Sequence, residues 1–217
     1  MEIYWKGHAL FYIETEPVKN KKVSLVIDPY DASLGLPLPS LAADILLITH
    51  NHFDHNNVKL VKGEPFIIKG PGEYDVGNVY IEGIKGFHDD KQGAERGEIT
   101  IYTIESEGIR ICHLSDLGQK ELTEKQLERI GNIDILMIPV GGTYTISSKE
   151  APSIISQIEP KIVIPMHYAL PGLKIKLDKV DKFLKEMGAK EPEIIKKLKI
   201  RKKDLPAEMK IILLQYK

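Results

Sequence analysis

The chain has 217 residues, of which 42% are hydrophobic and 28% are charged, and its formal net charge is −1. This composition is typical of a globular protein, and the near-neutral charge argues against a general binder of nucleic acids or anionic membranes. The single cysteine, Cys112, excludes an intrachain disulfide and is expected to be an inert core thiol in a reducing compartment. No apolar stretch approaches the roughly 20 residues of a membrane span, and no export signal is visible, so we expect a cytoplasmic protein.

The first half of the chain is predicted to be almost entirely β-strand. Short apolar runs, rich in isoleucine and valine, alternate with glycine, proline and Asn-Lys turns. The predicted strands are Glu2–Lys6, Leu10–Glu14, Val23–Asp28, Asp44–Thr49, Pro65–Ile68, Val79–Ile84, Glu98–Ser106 and Ile109–His113.

The second half is predicted to alternate strands with helices. Thr123 is a suitable N-cap for a helix through Ile130, with Gln126 in the capping-box position. The remaining predicted elements are strand Ile133–Pro139, helix Ser148–Ile158, strand Lys161–Met166, helix Leu177–Met187 and strand Met209–Gln215. A strand-rich half followed by strand–helix–strand units predicts an α/β (α+β) fold with two packed sheets, in a single domain over residues 1–217.

A cluster of metal-binding side chains follows the predicted strand Asp44–Thr49. The segment His50-Asn51-His52-Phe53-Asp54-His55 holds three of the seven histidines of the chain. Imidazoles and carboxylates are the usual ligands of zinc and its neighbours. His50 and His52 alternate with Asn51, so both point to one side of an extended segment, while Asp54 and His55 follow around a bend and can face a second ion. The alternative is a solvated polar loop.

Three further residues of the same chemistry each follow an apolar strand. His88 comes after Val79–Ile84, Asp116 after Ile109–His113, and His167 after Lys161–Met166. Because ligands in α/β sheets bind beyond the carboxyl ends of the strands, we expect these side chains to join the cluster.

The sequence strongly resembles the metallo-β-lactamase fold superfamily, and within it the small stand-alone hydrolases that include ascorbate-6-phosphate lactonase-like proteins. The His-x-His-x-Asp-His signature at 50–55 carries the resemblance. Other matching segments are Trp5–Ala9, Leu25–Pro29, Cys112–Gly118, Ile138–Gly142 and Pro165–Tyr168. The resemblance implies a four-layer αββα sandwich with a binuclear metal site along one edge. Ser115 departs from the pattern, because family members usually carry glycine before the aspartate. We expect this change to alter only the local turn, with a slight shift of Asp116 as the alternative.

The same resemblance implies a ligand set and a reaction. One metal would be held by His50, His52 and His88, the other by Asp54, His55 and His167, with Asp116 bridging the pair. The cofactors would be two divalent metal ions, Zn²⁺ above all, with Mn²⁺ and Fe²⁺ as alternatives. Asp54 and Asp116 would be the catalytic residues, because they would position a metal-bound hydroxide that attacks the substrate.

Several assignments stay open at the level of sequence. His113 competes with His88 as third ligand of the first metal, and otherwise bonds to a carbonyl or to a ligand carboxylate. Asp28 either orients a ligand histidine or caps a turn. His8 forms a hydrogen bond with Asp28, contacts the substrate, or has a purely structural role. Gly141 and Gly142 permit close backbone approach to a ligand near Tyr144, or form an ordinary turn.

The expected activity is hydrolysis of a small ester, such as a lactone or a phosphorylated metabolite. Four cations are candidate anion contacts or plain surface charges: Lys91, Arg96, Lys174 and Lys176. The alternatives are a phosphodiesterase or nuclease of the same superfamily and a non-catalytic metal-binding protein. The expected partner is a small molecule rather than a membrane or nucleic acid, and the oligomeric state stays open. The basic segment 196–203 is predicted to be a solvated loop or helix face.

Overall fold

The computed structural model describes residues 1–216, and its first layer is a six-stranded sheet. The strands are β1 (Glu2–Trp5), β2 (Phe11–Val18), β3 (Lys21–Ile27), β5 (Ile45–Ile48), β7 (Phe66–Lys69) and β15 (Leu198–Lys199). Their order is β15-β1-β2-β3-β5-β7, in which β3, β5 and β7 run parallel. Two short strands, β4 (Leu41–Ala42) and β6 (Val61–Lys62), form a separate small sheet.

The second layer is an eight-stranded sheet. Its strands are β8 (Gly72–Val76), β9 (Val79–Phe87), β10 (Glu98–Ser106), β11 (Ile109–His113), β12 (Ile135–Pro139), β13 (Ile162–Met166), β14 (Glu193–Ile195) and β16 (Lys210–Leu214). The order is β14-β16-β13-β12-β11-β10-β9-β8. Strands β8 to β11 are antiparallel neighbours, whereas β11, β12, β13, β16 and β14 are parallel.

Three α-helices link the parallel strands of the second sheet: α1 (Glu124–Ile130), α2 (Ala151–Ile158) and α3 (Val180–Glu186). The predicted capping box of α1 is present, because Gln126 N donates to Thr123 Oγ1 (3.2 Å) and Thr123 N donates to Gln126 Oε1 (2.9 Å). Crossovers between parallel strands are right-handed, and β11, β12 and β13 follow one another in one direction. The helices that follow these strands therefore lie on one face of the sheet.

The two sheets share one hydrophobic core, as strand periodicity requires. In β2 and β3, Phe11 and Leu25 belong to a cluster that also contains Ile101 and Ile111 of the second sheet. Their neighbour Val26 faces the opposite side, in a second cluster with Leu10. The centre of the six-stranded sheet, at β5 and the end of β3, is thus buried on both faces. Its outer face there is covered by the small sheet and by 3₁₀ turns at Ala32–Leu34 and Val58–Leu60. The predicted α/β fold with two packed sheets is confirmed.

The basic segment 196–203, predicted to be a solvated loop or helix face, is partly a β-strand. It contains the edge strand β15, in which Leu198 is buried and pairs with Ile3, and it ends in a 3₁₀ helix at Lys202–Asp204. Apolar residues alternate with lysines here, which suits an edge strand that exposes charge to discourage further pairing. No helix among residues 1–216 has the length and apolar character needed to cross a membrane.

Candidate metal centre

Strands of both sheets deliver their polar ends to one place. His8 lies in the turn between β1 and β2, and Asp28 and His50 follow β3 and β5 of the same sheet. His88 and His167 follow β9 and β13 of the other sheet. The structure brings together all seven residues that the sequence suggested as ligands: six of them fall into two adjoining groups, and Asp116 lies between these groups.

The first group consists of His50, His52 and His88, whose donor atoms lie within 4.8 Å of one another. His50 Nε2 is 3.1 Å from His52 Nδ1, and the His88 ring centroid is 5.1 Å and 5.0 Å from those of His50 and His52. Burial lowers the pKa of His50 to about 3, so its ring is neutral at pH 7 and keeps a lone pair for a cation.

The second group consists of His8, Asp54, His55 and His167, again with donor atoms within 4.8 Å. His8 Nε2 lies 3.1 Å from Asp54 Oδ2 and 3.2 Å from His55 Nε2. The structure therefore places His8 against Asp54 rather than against Asp28. His8 is fully buried and does not line the cavity that opens over the site. It adds an imidazole nitrogen to this group.

Asp116 lies between the two groups. Its Oδ2 is 3.4 Å from His88 Nε2 of the first group, and 3.2 Å and 3.3 Å from the Nε2 atoms of His55 and His167 in the second. Burial opposes ionisation of this carboxyl, but His167 and His55 hold its pKa well below the usual range. A single charged oxygen thus faces donors of both groups.

A hydrogen-bond network behind the site orients two of the histidines. Asp28 accepts bonds from Thr49 N (2.8 Å), Thr49 Oγ1 (2.6 Å) and His55 Nδ1 (2.9 Å). The Thr49 hydroxyl has one proton and gives it to Asp28, so it accepts its bonds from Ser115 Oγ (2.7 Å) and His50 Nδ1 (2.9 Å). His50 and His55 therefore both carry a proton on Nδ1, which leaves Nε2 as the nitrogen that can coordinate a cation.

These donors fit divalent metal ions. Ligands of a tetrahedral zinc ion, at 2.0–2.1 Å from it, are about 3.4 Å apart, and the contacts between donors here are close to that spacing. Asp116 Oδ1 is also buried without a hydrogen-bond partner among residues 1–216. Buried polar atoms are normally paired, so an unpaired carboxylate oxygen beside several imidazoles indicates a cation.

His113 lies near the site but has no free lone pair. Its Nε2 donates to the carbonyl of Ala9 (3.0 Å), and its Nδ1 accepts from Ser115 N (3.1 Å). Both ring nitrogens are used within the fold, which leaves His88 as the third member of the first group. Cys112 beside it is fully buried, and burial raises the pKa of its thiol far above the ordinary value.

Two glycines allow other segments to pack closely against the backbone of two candidate ligand histidines. A Cβ on Gly118 would overlap the carbonyl group of His88, and a Cβ on Gly141 would overlap the carbonyl oxygen of His167. The sequence left open whether Gly141 approaches a bound ligand or forms an ordinary turn, and the structure adds a close approach of Gly141 to the backbone of His167. Neither packing partner is visible in the sequence, because each is distant along the chain.

Gly118→Ala is expected to displace His88 and to lower the free energy of unfolding by about 1–3 kcal/mol, as overpacking against backbone does. Thermal unfolding of the metal-free protein, together with the metal content after loading, measures both effects. A variant that unfolds like the wild type and binds the same amount of metal would show that the backbone accommodates the methyl group.

An open cavity of about 470 Å³ lies over the site. Asp54, Asp116 and His167 line its floor, and Phe53 and Tyr144 line its rim. The remaining lining residues are Asn51, His52, His88, Arg96 and Ile175. Tyr144, which the sequence suggested to lie near a bound ligand, is 38% exposed here.

The loop after His88 is organised by a residue that the sequence interpretation missed. The Asp89 carboxylate accepts four backbone N–H groups, from Lys91 (2.8 Å), Gly93 (2.8 Å), Glu95 (2.9 Å) and Arg96 (2.7 Å). Burial opposes ionisation of Asp89, but these donors lower its pKa to about 2. An aspartate before a glycine-bearing polar segment is the signal that could have revealed this turn.

Asp89→Asn is expected to lower the free energy of unfolding of the metal-free protein at neutral pH by about 1.5–3 kcal/mol, the range for bonds to a charged group. The pKa of Asp89 is below its ordinary value of 3.8 in the folded state, so its stabilisation is present above pH 3.8 and is lost as pH falls through about 2. Urea unfolding from pH 7 to pH 2 should show a constant difference above about pH 4 and convergence of the two proteins as pH approaches about 2. Asp90→Asn, on the exposed neighbour, should change stability by less than about 0.5 kcal/mol.

Comparison with known proteins identifies the family. The family model described as "Beta-lactamase superfamily domain" matches residues 2–167. A UPF0173 protein of Pyrococcus abyssi is 32% identical over 79% of this chain and 85% of its own length, and a UPF0173 metal-dependent hydrolase of Thermococcus onnurineus is 30% identical over 77% and 84%.

Solved structures agree with this relationship. A Thermotoga maritima protein assigned to the Zn-dependent hydrolases of the metallo-β-lactamase superfamily is 37% identical and covers 100% of this chain and 99% of its own, with a TM-score of 0.80. A Parabacteroides distasonis protein, 17% identical with a TM-score of 0.67 over 99% of this chain and 93% of its own, supports the fold alone. The chain therefore belongs to the metallo-β-lactamase superfamily of metal-dependent hydrolases.

Proposed function

We propose that the chain binds two divalent metal ions and hydrolyses a small ester. The observation that carries this proposal is the position of Asp116, whose one carboxylate oxygen lies within 3.2–3.4 Å of histidines from both groups. His50, His52 and His88 would hold one ion, and Asp54, His55 and His167 the other, with His8 as an additional nitrogen for the second. Zn²⁺ suits this set of nitrogen and oxygen donors best, with Mn²⁺ and Fe²⁺ as alternatives.

Divalent ions in such a pair lower the pKa of bound water towards 7 and polarise the carbonyl under attack. Asp54 lines the cavity and is 8% exposed. Burial opposes ionisation of its carboxyl group, but the hydrogen bond with His8 holds its pKa below the usual range. Asp54 is therefore ionised and can accept a hydrogen bond from the attacking water. In the reaction, the water oxygen forms the new bond to the acyl carbon, the ester C–O bond breaks, and the alcohol oxygen leaves with a proton.

The cavity favours a small-molecule substrate. Its volume of about 470 Å³ lies in the range of small-ligand sites. Arg96 is the one lysine or arginine among the described residues that line it, which argues against a nucleic-acid backbone with its repeated phosphates. A lactone or a phosphorylated metabolite fits this description.

Zinc-loaded protein screened against lactones, aryl esters and phosphodiesters tests the proposal. We expect ester or lactone hydrolysis that a chelator removes and that Zn²⁺ or Mn²⁺ restores. Asp54→Ala should lose the activity while keeping the cooperative unfolding of the wild type. Metal-loaded protein that hydrolyses none of these compounds, or an Asp54→Ala variant with full activity, would contradict the proposed function.

A further inference from the structure

Only one of the four cations that the sequence suggested as anion contacts lines the cavity over the metal centre. That residue is Arg96. Lys91 Nζ is instead paired with Glu95 Oε1 at 2.6 Å, and Lys174 packs beside Gly35, outside the cavity lining. Arg96 thus differs from the three lysines in position, although all four side chains are cations.

The guanidinium of Arg96 is available to a ligand. The nearest carboxylate among residues 1–216 is Glu95 Oε2, 3.9 Å away, and the other oxygen of Glu95 already binds Lys91. The Arg96 backbone is fixed, because its N–H donates to the buried carboxylate of Asp89. A cation on a braced loop loses little conformational freedom when it binds an anion.

The same cavity is also lined by large apolar or aromatic side chains. Phe53 is 52% exposed, Tyr144 is 38% exposed, and Ile175 is half-buried. Large exposed side chains that line a concave site are typical of ligand contacts. A second cavity of about 340 Å³ adjoins the first, with His52 and Arg96 lining both and Lys69 lining the second. Arg96 therefore stands where an apolar cavity meets a more polar one.

We propose that the substrate is an ester that carries both an anionic group, carboxylate or phosphate, and an apolar, preferably aromatic, part. Arg96 binds the anion, and Phe53 and Tyr144 contact the apolar part. Arg96 is thus a specificity-determining residue of the cavity. This inference rests on the proposed hydrolase function for its kinetic test, and a binding measurement tests it independently.

The kinetic test compares three aryl acetates on the zinc-loaded protein: 4-acetoxybenzoate, 4-acetoxyphenyl phosphate and the uncharged 4-acetoxybenzamide. We expect a higher kcat/KM for at least one of the two anionic esters than for 4-acetoxybenzamide. The anionic ester with the higher kcat/KM shows whether the site prefers a carboxylate or a phosphate. In Arg96→Gln this preference should fall about 10- to 100-fold, mainly through KM, as expected for loss of a charge-assisted bond. Lys91→Gln, on the same loop, should keep the preference of the wild type.

The binding test uses the reaction products 4-hydroxybenzoate and 4-hydroxybenzamide in calorimetric titrations, which need no turnover. Wild-type protein should bind the benzoate more tightly, and Arg96→Gln should lose that difference while its metal content stays that of the wild type. Equal preference in wild type and Arg96→Gln, in either test, would overturn the inference. Absence of hydrolysis with the binding preference intact would contradict the proposed function but not the role of Arg96.

Discussion

Asp116→Ala is expected to abolish hydrolysis and to leave the protein with fewer than two metal ions per chain. In the structure, Asp116 Oδ2 lies within 3.4 Å of histidines of both groups, so its removal takes one donor from each proposed ion. The rate of hydrolysis should fall by about 1,000-fold or more. This loss is larger than the roughly 10- to 100-fold typical when a residue that only hydrogen-bonds to a metal ligand is replaced. Metal analysis after zinc loading and hydrolysis rates measure the two effects.

Asp134→Asn is the matched control for this variant. Asp134 is also a buried aspartate, but it accepts bonds from Arg110 N (3.0 Å) and Lys202 Nζ (2.8 Å), away from the centre. Its replacement should lower stability and leave the metal content unchanged. If Asp116→Ala retained two ions and wild-type rates, the bridging role assigned to Asp116 would have to be given up.

Asp28→Asn is expected to weaken metal binding by about 10- to 100-fold without removing any proposed ligand. Asp28 accepts from both Thr49 and His55, and through Thr49 it also determines the proton position on His50. An amide nitrogen in place of one carboxylate oxygen donates where the native group accepts, so at least one of these bonds is lost. Because His50 and His55 belong to different groups, both ions should bind more weakly.

Titration of the metal-free protein with zinc, in competition with a chelator, measures the Asp28 effect. Asp44→Asn is a close control. Asp44 Oδ2 accepts hydrogen bonds from the backbone N–H and the hydroxyl of Ser24, at 2.8 Å each, much as Asp28 does from Thr49, but it lies outside the metal centre. We expect Asp44→Asn to bind zinc like the wild type. Equal affinities for wild type and Asp28→Asn would show that the network does not orient the ligands.

Hydrophobic periodicity was enough to predict most of the fold. The long strands Glu98–Ser106 and Ile109–His113 have the predicted bounds, and the capping box at Thr123 formed as expected. Strand β8 (Gly72–Val76) was missed because the exposed Glu73 and Asp75 alternate with the half-buried Tyr74 and Val76, which leaves no apolar run to detect. The short edge strands β14 and β15 depend on neighbours that are far away in sequence.

The candidate ligands were predictable from residue type and strand ends, but their surroundings were not. Thr49 and Ser115 act through contacts that only the fold brings near, because Thr49 bonds to Asp28 and Ser115 bonds to Thr49. The contacts of Asp89 are local in sequence, and its turn was overlooked. His8, Asp28, Ser115 and His167 have positive φ, between 51° and 55°. That left-handed conformation costs roughly 1–2 kcal/mol per residue and is tolerated where the surroundings enforce it, so residue preferences could not have indicated it.

Anomalous diffraction from crystals of the zinc-loaded protein would locate the bound ions. We expect two peaks: one enclosed by His50, His52 and His88, the other by Asp54, His55 and His167, with the Asp116 carboxylate between them. A single peak, or zinc bound away from these side chains, would contradict this expectation.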